Sequence, residues 1–288
     1  DATSGFAACK QENVTGSITA LVAEMERARQ HGFTQSEIDR AKAELLRGME
    51  NDYAERDKER NGKYVRQCLG NFTDGEPMLS AGQELQLVKR LDKSVTLADV
   101  NRMVREMISD RNQVVTLYGP EKDGFKLPSN EEVEQAILTA QSQTYEAPKE
   151  EKVPAKLMPV LPRKGKIVSE KEVSNGYREF TLSNGMRVYA RQTDFKADNI
   201  SMYLFSPGGK NVYPDSDMPS MQYLASVINS SGVAGFSEST LEKMLAGKQV
   251  SVSPYLSDET EGMRGSSSVK DFETMLQLTY QANAGLGA

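Results

Sequence analysis

The 288-residue sequence predicts an α+β fold, with antiparallel sheets that carry helices on one face, in two such domains joined by a long linker. Three observations predict it. Apolar residues recur at helical spacing before residue 122, alternating β-rich runs dominate after Gly176, and a stretch rich in proline and alternating charge lies between them. The predicted divisions are 1–122, 123–173 and 174–288.

The first domain is predicted to open with the strand FAACKQ and to continue with a helix that ends at Gly32. Thr34 and Glu37 are spaced as a capping box, in which the hydroxyl and the carboxylate bond to each other's backbone N–H groups, so a second helix should start here. A charged helix follows, broken near Asn61-Gly62. The segment QVVTLYG is then predicted to be the strand that closes the domain.

Two further helices are predicted in this domain, near 79–92 and 96–109. The second is predicted to bury five apolar side chains: Val100, Met103, Val104, Met107 and Ile108. In the linker region, LPSNEEVEQAILTAQSQ is predicted to form one helix. The segment from Tyr145 to Glu172 contains four prolines and is predicted to be extended and irregular.

The last domain is predicted to begin with strands. Asn184-Gly185 lies between two β-rich runs and predicts a two-residue hairpin, and NISMYLFSPGG predicts a third strand. Helices are predicted over Pro219–Asn229 and after the N-cap residue Ser237. Two more strands, QVSVSPYLS and TEGMRGSSSV, and a helix over Val269–Tyr280 complete one predicted antiparallel sheet with helices packed on it.

The composition of the chain argues against several classes of function. The net charge is −6 and basic residues are interleaved with acids, which argues against nucleic-acid binding. No run of 18 apolar residues predicts a membrane span. Cys9 and Cys68 can form one bridge, but two reduced, half-buried thiols are the favoured interpretation. The sequence contains one histidine, so a zinc site built on several imidazoles is nearly excluded. This residue, His31, is predicted to lie at the end of a helix.

Two segments carry a family resemblance. HGFTQSEIDRAKAELLRGMEN resembles the helix pair in the second domain of pitrilysin/insulinase-type zinc peptidases, and YREFTLSNGMRVYARQTDFKADNISMYLFSPGGK resembles the first domain of a half in that family. Such enzymes have two related halves that close around a peptide. The resemblance implies that 1–122 is the second domain of the N-terminal half and 174–288 the first domain of a degenerate C-terminal half.

Active members of this family carry an inverted zinc motif, H-x-x-E-H, on the helix after the third strand. The matching positions here are Gln222, Ala225 and Ser226, an amide, a methyl group and a hydroxyl, and none of them is a good zinc ligand. The resemblance places the third ligand and an Arg and Tyr near the substrate beyond Ala288, and the catalytic half's first domain before Asp1. The resemblance therefore implies no catalytic residue, no metal ligand and no assigned substrate-binding residue in this chain. The ending QANAGLGA departs from the continuation that the resemblance implies and is interpreted as an unusual terminus.

The resemblance thus implies a non-catalytic central portion of a zinc metalloendopeptidase, which forms chamber wall, hinge and substrate contacts. Zinc is expected in the parent protein, and the expected partners are a peptide substrate and the missing halves of the parent. An oligomer of like or unlike chains stays open, neither nucleic acid nor membrane is expected, and a bacterial periplasm is weakly favoured. The alternative is a non-catalytic partner subunit, or a structural relative, that has lost metal binding.

Overall fold

The computed structural model describes residues 3–109, 111–149, 153–233 and 235–285. Residues group into two compact units, unit 1 within Asp1–Arg40 and Arg90–Lys152, and unit 2 within Ala41–Lys89 and Val153–Ala288. The predicted assignment of 1–122, 123–173 and 174–288 to family domains stays a prediction. The described helices are α1 (Val14–His31), α2 (Gln35–Glu55), α3 (Asn61–Asp74), α4 (Ala81–Asp92), α5 (Leu97–Met107), α6 (Asn130–Gln141), α7 (Met218–Met221), α8 (Leu224–Ser230), α9 (Glu238–Leu245) and α10 (Phe272–Gly285).

The described strands are β1 (Ile167–Glu172), β2 (Arg178–Leu182), β3 (Arg187–Ala190), β4 (Ile200–Pro207), β5 (Val250–Leu256) and β6 (Thr260–Ser267). All of their pairings are antiparallel. The α+β class with antiparallel sheets, predicted from the sequence, is confirmed.

Unit 1 is helical in the part of the chain that the structure describes. Helix α1 packs against α5 and α6, and small or branched side chains such as Ile18, Ala136 and Ala140 are buried there. Local chemistry fixes the helix starts. Thr96 and Ser129 each form a capping box at the N-termini of α5 and α6, so two otherwise unpaired donors are satisfied at each end.

The strands predicted over FAACKQ and QVVTLYG are wrong, because both segments lack regular structure. A strand needs a partner that completes its backbone hydrogen bonds. Neither segment makes a backbone ladder with any residue in the described ranges, and Phe6, Val114 and Tyr118 are almost fully exposed. Their β-rich composition is therefore insufficient by itself to form a strand.

The prediction that α5 buries five apolar side chains is also wrong in part. Met103 and Met107 are exposed, whereas Val100, Val104 and Ile108 are half-buried. Helical spacing identifies one face of a helix, but how much of that face is covered depends on the width of the neighbouring helix. Here α1 covers only part of it.

Unit 2 holds two three-stranded sheets where the sequence predicts one. Sheet A has the order β1-β2-β3, and the hairpin between β2 and β3 turns at Asn184-Gly185 as predicted, with φ of +85° at Gly185. Sheet B has the order β4-β6-β5, in which Ile200 pairs with Ser267 and Val250 pairs with the same residue on the other side. Strand β4 therefore pairs across a long sequence separation and not with its neighbour β3.

The core of unit 2 lies between sheet B and α10. Met275 is fully buried and Met263, on β6, is nearly so. Gly265 makes the close approach of α10 to β6 possible, since a Cβ atom there would lie 2.8 Å from the Met275 sulfur. Helix α10 starts at Phe272, three residues later than predicted.

The segment predicted to be an irregular linker is regular at its end, because Ile167–Glu172 forms β1 against β2. Further back, Leu157 and Met158 are buried in unit 2. The composition of the segment did not reveal this strand, because alternating charge and proline are compatible with an edge strand as well as with a loop. The predicted helix in this region is confirmed as α6.

Several smaller predictions can be compared with the structure. Cys9 and Cys68 are unbridged, but both are exposed and not half-buried as predicted. The helix break near Asn61 is confirmed, with α2 ending at Glu55 and α3 starting at Asn61. No helix in the described ranges is both long and apolar enough to span a membrane. The end of the unusual terminus, 286–288, lies outside the described residues.

Candidate functional site

The degenerate motif lies where a short helical segment is interrupted. The sequence predicts one helix over Pro219–Asn229, but α7 ends at Met221 and α8 begins at Leu224. Gln222 lies in the gap, and its side-chain amide donates a hydrogen bond to the Pro219 carbonyl oxygen at 3.0 Å. The amide is thus used in local capping of the first short helix.

The other two motif positions, Ala225 and Ser226, lie in the first turn of α8, half-buried and exposed respectively. A methyl group offers no lone pair, and a neutral hydroxyl or an amide oxygen binds zinc poorly. In the described part of the chain, no three His, Cys, Asp or Glu side chains lie close enough together to hold a metal ion. The residues present at the motif do not fit zinc.

His31 closes α1, as the sequence predicts. Its Nε2 atom lies 2.6 Å from the Tyr145 carbonyl oxygen, and the neighbouring Gln30 side chain bonds to the backbone at Gln143 and Tyr145. These contacts tie the C-terminal end of α1 to the segment that follows α6. A structural role accounts for all of them.

The densest polar cluster in unit 2 is centred on Arg47 of α2. Its Nη2 atom lies 3.1 Å from Asp198 Oδ2 and 3.1 Å from Gln249 Oε1, with Asp271 Oδ2 at 3.9 Å and Glu50 Oε2 3.7 Å from Nη1. Arg47 is 11% exposed and Asp271 is 4% exposed. Arg47 thereby connects α2 with the segments that precede β4, β5 and α10.

Two carboxylates around Arg47, those of the buried Asp271 and the half-buried Asp198, also bind backbone groups. Asp271 Oδ2 accepts hydrogen bonds from the Gln249 N–H at 2.9 Å and from the Ser268 hydroxyl at 2.8 Å. Asp198 Oδ1 accepts one from the Val269 N–H at 2.8 Å. The two carboxylates therefore connect the segments before β4, β5 and α10 through backbone hydrogen bonds as well as through Arg47.

A polar cavity of about 310 Å³ adjoins this cluster in unit 2. Its wall includes Asn51 and Glu55 of α2, Lys196 before β4, Gln249 before β5, and Ser267 at the end of β6. Glu55 is 3% exposed and its Oε1 atom accepts hydrogen bonds from the N–H groups of residues 197 and 198, both at 2.9 Å.

Sequence reasoning missed this region. The sequence predicts that the run from Glu55 to Arg60 is a solvated helix face. This prediction is wrong for Glu55, whose side chain is buried and whose carboxylate accepts hydrogen bonds from two backbone N–H groups far along the chain. No periodicity or local motif marks such a residue. The contacting amides are more than one hundred positions away, so only the tertiary structure brings them together.

Comparison with known proteins adds a relationship. No protein-family model matches the chain. It is 28% identical over 257 residues to a "Zinc protease PQQL-like" protein of Arabidopsis thaliana, covering 88% of this chain and 24% of that protein. It is 23% identical over 267 residues to a "Probable zinc protease PqqL" of Haemophilus influenzae, covering 91% and 28%. These similarities confirm the predicted resemblance to the pitrilysin/insulinase-type zinc peptidases.

The chain spans about a quarter of the length of these curated peptidase relatives. Two solved structures also resemble it. One is the periplasmic protease PqqL from Escherichia coli, with 22% identity and a TM-score of 0.43, covering 95% of this chain and 30% of that one. The other is the ferredoxin protease FusC, solved as a mutant with Arabidopsis ferredoxin, with 17% identity, a TM-score of 0.48, and coverage of 94% and 30%.

The family relationship gives a setting for the motif. The relatives from Arabidopsis thaliana and Haemophilus influenzae are named as a zinc protease and a probable zinc protease, and these names apply to those proteins. The segment of this chain that resembles a first domain carries Gln222, Ala225 and Ser226 in place of zinc ligands. The prediction that this chain supplies no catalytic residue and no metal ligand stays a prediction.

Proposed function

We propose that this chain is a non-catalytic portion of a zinc metalloendopeptidase whose intact form hydrolyses peptide bonds. One observation carries the proposal: the chain is similar over most of its length to zinc proteases, yet the residues at its motif positions, Gln222, Ala225 and Ser226, do not fit a zinc ion. Zinc in the intact protein would be bound by residues other than these.

The portion contributes structure around the substrate. A two-half peptidase needs a wall for its chamber, a hinge between its halves and surfaces that contact the peptide. The antiparallel sheets of unit 2, with α10 packed on sheet B around Met275, supply a rigid wall. A rigid wall serves catalysis by holding a peptide in place while the reacting groups act elsewhere.

The segment 146–173 is the proposed hinge region. Leu157 and Met158 are buried in unit 2 and Ile167–Glu172 is paired in sheet A, so we place the hinge on the N-terminal side of Leu157. Opening and closing there would control peptide entry, as domain closure does in other enzymes with hinged halves.

Small-angle scattering on the intact parent protein, with and without bound peptide, tests the hinge. A peptide-dependent decrease in the radius of gyration is the expected result. Identical scattering curves at saturating peptide would refute the gating role. Two glycines inserted before Leu157 should broaden the distribution of dimensions without peptide, whereas the same insertion in the exposed Asn184-Gly185 turn serves as the control.

Activity measurements test the catalytic assignment. The intact parent should cleave an unstructured peptide and lose that activity on treatment with a zinc chelator, with recovery on addition of zinc. The 288-residue chain alone should cleave nothing. Cleavage by the chain alone, blocked by the chelator, would show that the motif has been placed wrongly.

The alternative proposal is a parent that has lost metal binding altogether and serves as a partner subunit or structural relative. The substitution of all three motif positions favours it as much as it favours an inactive half. The gene of the parent distinguishes the two, because an intact H-x-x-E-H motif elsewhere in it supports the peptidase. Further proposals are a peptide substrate, by analogy with the protein-cleaving relatives, assembly into like or unlike oligomers, and a periplasmic location, after the PqqL protein of Escherichia coli.

A further inference from the structure

The outer face of sheet B, opposite the face on which Gly265 approaches α10, carries exposed aromatic side chains. Side chains alternate along a strand and cross-strand partners share a face, so the pairing register assigns the residues of this face. They form three rows across β4, β6 and β5: Ser201, Ser266 and Ser251; Tyr203, Arg264 and Ser253; and Phe205, Gly262 and Tyr255. Tyr203 is 65% exposed and Phe205 63% exposed, so both rings are largely uncovered by the described part of the chain.

Arg264 carries the single charge in these three rows. Its Cζ atom lies over two aromatic rings, 5.5 Å from the centroid of Tyr203 and 4.8 Å from that of Tyr255, so the exposed guanidinium is held between them. Within the described ranges, Arg264 forms no ion pair with a carboxylate and donates no hydrogen bond. The chain as a whole has a net charge of −6, so this face differs in sign from the rest and lacks an acidic partner for its arginine.

An arginine on sheet A shows the same stacking together with a carboxylate. Arg178 lies over the ring of Phe180, with its Cζ atom 5.8 Å from the centroid, and it also pairs with Glu170 on the neighbouring strand. Stacking and pairing are compatible because the N–H groups point outwards in the guanidinium plane, whereas the ring contacts its flat side. Arg264 has the ring contacts without the carboxylate, which leaves its planar set of donors available to a partner.

We propose that the outer face of sheet B binds an extended acidic peptide. The carboxylate of an acidic side chain accepts two parallel hydrogen bonds from Arg264, and a neighbouring apolar side chain packs against Phe205 and Tyr255. Gly262 lies between these two aromatic residues in the row, and a Cβ atom there would lie 1.9 Å from the Leu204 carbonyl oxygen, so this position must lack a side chain. The inference deepens the proposed substrate contact, and it rests on the proposed function for the role of the peptide as substrate.

The distance between the rows defines the spacing of side chains in the peptide. Residues two apart on a strand are separated by about 6.4–6.8 Å, and an extended peptide aligned with the strands repeats its side chains on one face at the same interval. An acidic residue over Arg264 therefore needs its apolar neighbour two positions away in order to reach Phe205 and Tyr255. The acid is an Asp or Glu side chain and not a chain terminus, because rows of the sheet continue on both sides of Arg264 and the peptide extends over them.

Heteronuclear NMR titration of the 288-residue chain with capped heptapeptides tests the proposal. The probe is acetyl-GESFSEG-amide, which places a glutamate two positions from the phenylalanine in either orientation and has no charged terminus. The matched peptide acetyl-GEFSSEG-amide has the same composition, but its acidic and aromatic side chains lie on opposite faces of an extended chain. Acetyl-GQSFSQG-amide removes the charge alone. The reporters are the backbone amides of Gly262 and Arg264 and the Arg264 side-chain Nε–H.

The expected result is a saturable shift of these reporters by the probe peptide, with a Kd on the order of 1 mM, the range of a small ligand with few contacts. The neutral peptide lacks the charged partner, and the respaced peptide loses either the acidic or the aromatic contact, so each should bind about 10-fold more weakly. Binding of the probe should also weaken as the ionic strength rises from about 0.01 M to about 0.15 M, because salt screens an exposed ion pair.

Variants of the face separate its two contacts, and both altered residues are exposed, so the fold should be retained. Arg264→Met should weaken binding about 10-fold, and Arg264→Lys should recover only part of this loss, because lysine keeps the charge without the planar fork. Phe205→Ser should weaken binding and leave its salt dependence unchanged. The control is Arg178→Met, which changes a stacked arginine that is already paired with Glu170 and should leave the titration unchanged.

The proposal is overturned if the probe peptide gives no saturable shift, if the respaced or the neutral peptide binds equally well, or if Arg178→Met has the same effect as Arg264→Met. Reporter shifts that depend on the concentration of the chain without peptide would show that a second copy occupies the face, and would also overturn it.

Kinetics of the intact parent separate this inference from the proposed function. Arg264→Met should raise KM for a cleavable peptide with the same spacing and leave kcat unchanged, because the contact lies away from the reacting groups. An unchanged KM would show that another part of the parent covers the face, and would overturn the inference while the peptidase proposal stands. A parent that cleaves no peptide, beside a successful titration of the chain, would overturn the proposed function and leave the binding surface.

Discussion

Replacement of Arg47 by methionine should destabilise unit 2 by about 3 kcal/mol. The substitution keeps an unbranched apolar stem inside α2 and removes the guanidinium that joins Asp198, Gln249 and Asp271. It leaves two carboxylates without their cation in a region where Asp271 is 4% exposed and Asp198 22% exposed.

The magnitude follows from the burial of the cluster. Removing one partner of a buried ion pair typically costs about 3–5 kcal/mol, because the remaining charge stays buried and unpaired. The lower end applies here for two reasons. Asp198 keeps some contact with water, and Arg47 Nε is itself buried without a hydrogen-bond partner in the described part of the chain, so its removal returns part of the loss.

Hydrogen exchange of single backbone amides is the suitable assay, because a chain with two compact units need not unfold in one step. The amides of Gln249 and Val269 bond directly to the carboxylates of Asp271 and Asp198. A loss of about 3 kcal/mol corresponds to exchange about 100-fold faster at these sites.

Arg178→Met is the matched control. Arg178, on β2, pairs with Glu170 on β1, but the two side chains are 59% and 42% exposed. Exposed pairs contribute about 0–1 kcal/mol, so exchange near this pair should change by less than about 5-fold. Equal effects of the two substitutions on unit 2, or no effect of Arg47→Met, would refute the reasoning that burial makes the Arg47 cluster strong.

Three further predictions concern other parts of the chain. Elemental analysis of the dialysed chain should find less than about one zinc per chain, and a stoichiometric zinc content would contradict the motif placement at Gln222. Met275→Ala should lower the free energy of unfolding of unit 2 by about 2–5 kcal/mol, measured by hydrogen exchange of the β6 backbone amides, because it opens a cavity under α10. A change below about 1 kcal/mol would contradict the packing of α10 against Gly265. In α5, the hydrogen bonds from the Thr96 hydroxyl and then from the Thr96 backbone lower the pKa of Asp99. A carboxylate whose pKa is lower in the folded state stabilises the fold above its ordinary pKa, and this stabilisation is lost as the pH falls through the folded pKa. Asp99→Asn should therefore destabilise α5 at neutral pH and have no effect in acid, as measured by exchange of the α5 amides from about pH 2.5 to about pH 7. A destabilisation that persists in acid would contradict this reasoning.

Local features of this protein could be predicted because their causes are local. The capping box at Thr34 and Glu37 is present, with the Thr34 N–H donating to the Glu37 carboxylate at 2.7 Å, and Ser237 caps α9. The hairpin at Asn184-Gly185 follows from a turn that needs a positive φ, which glycine adopts freely. Each of these features depends on residues within four positions of one another.

Failures occurred where a partner lies far away. FAACKQ and QVVTLYG have the composition of strands but make no ladder with the described residues, and the strands predicted to form one sheet form two. In a sheet, hydrogen bonds between strands decide which β-rich segments become strands, and the choice of partner is not encoded in a short window.

The features of the candidate site also divide into those that the sequence predicted and those that it could not predict. The single histidine, together with the resemblance that places Gln222, Ala225 and Ser226 at the motif positions, led to the expectation that the chain holds no family zinc site. The polar cavity could not be anticipated, because Glu55 looks like any other acid in a charged helix.

The sequence by itself determined the α+β class, most of the helices, the hairpin and the relationship to zinc peptidases, since these depend on residue type, spacing and order. The tertiary structure decided the division into two sheets, the burial of Glu55 and the connection of four segments through Arg47. The physical reason is that burial and charge pairing depend on distances in space. Residues such as Glu55 and Ser267, which are more than two hundred positions apart in the sequence, share one cavity only after the chain has folded.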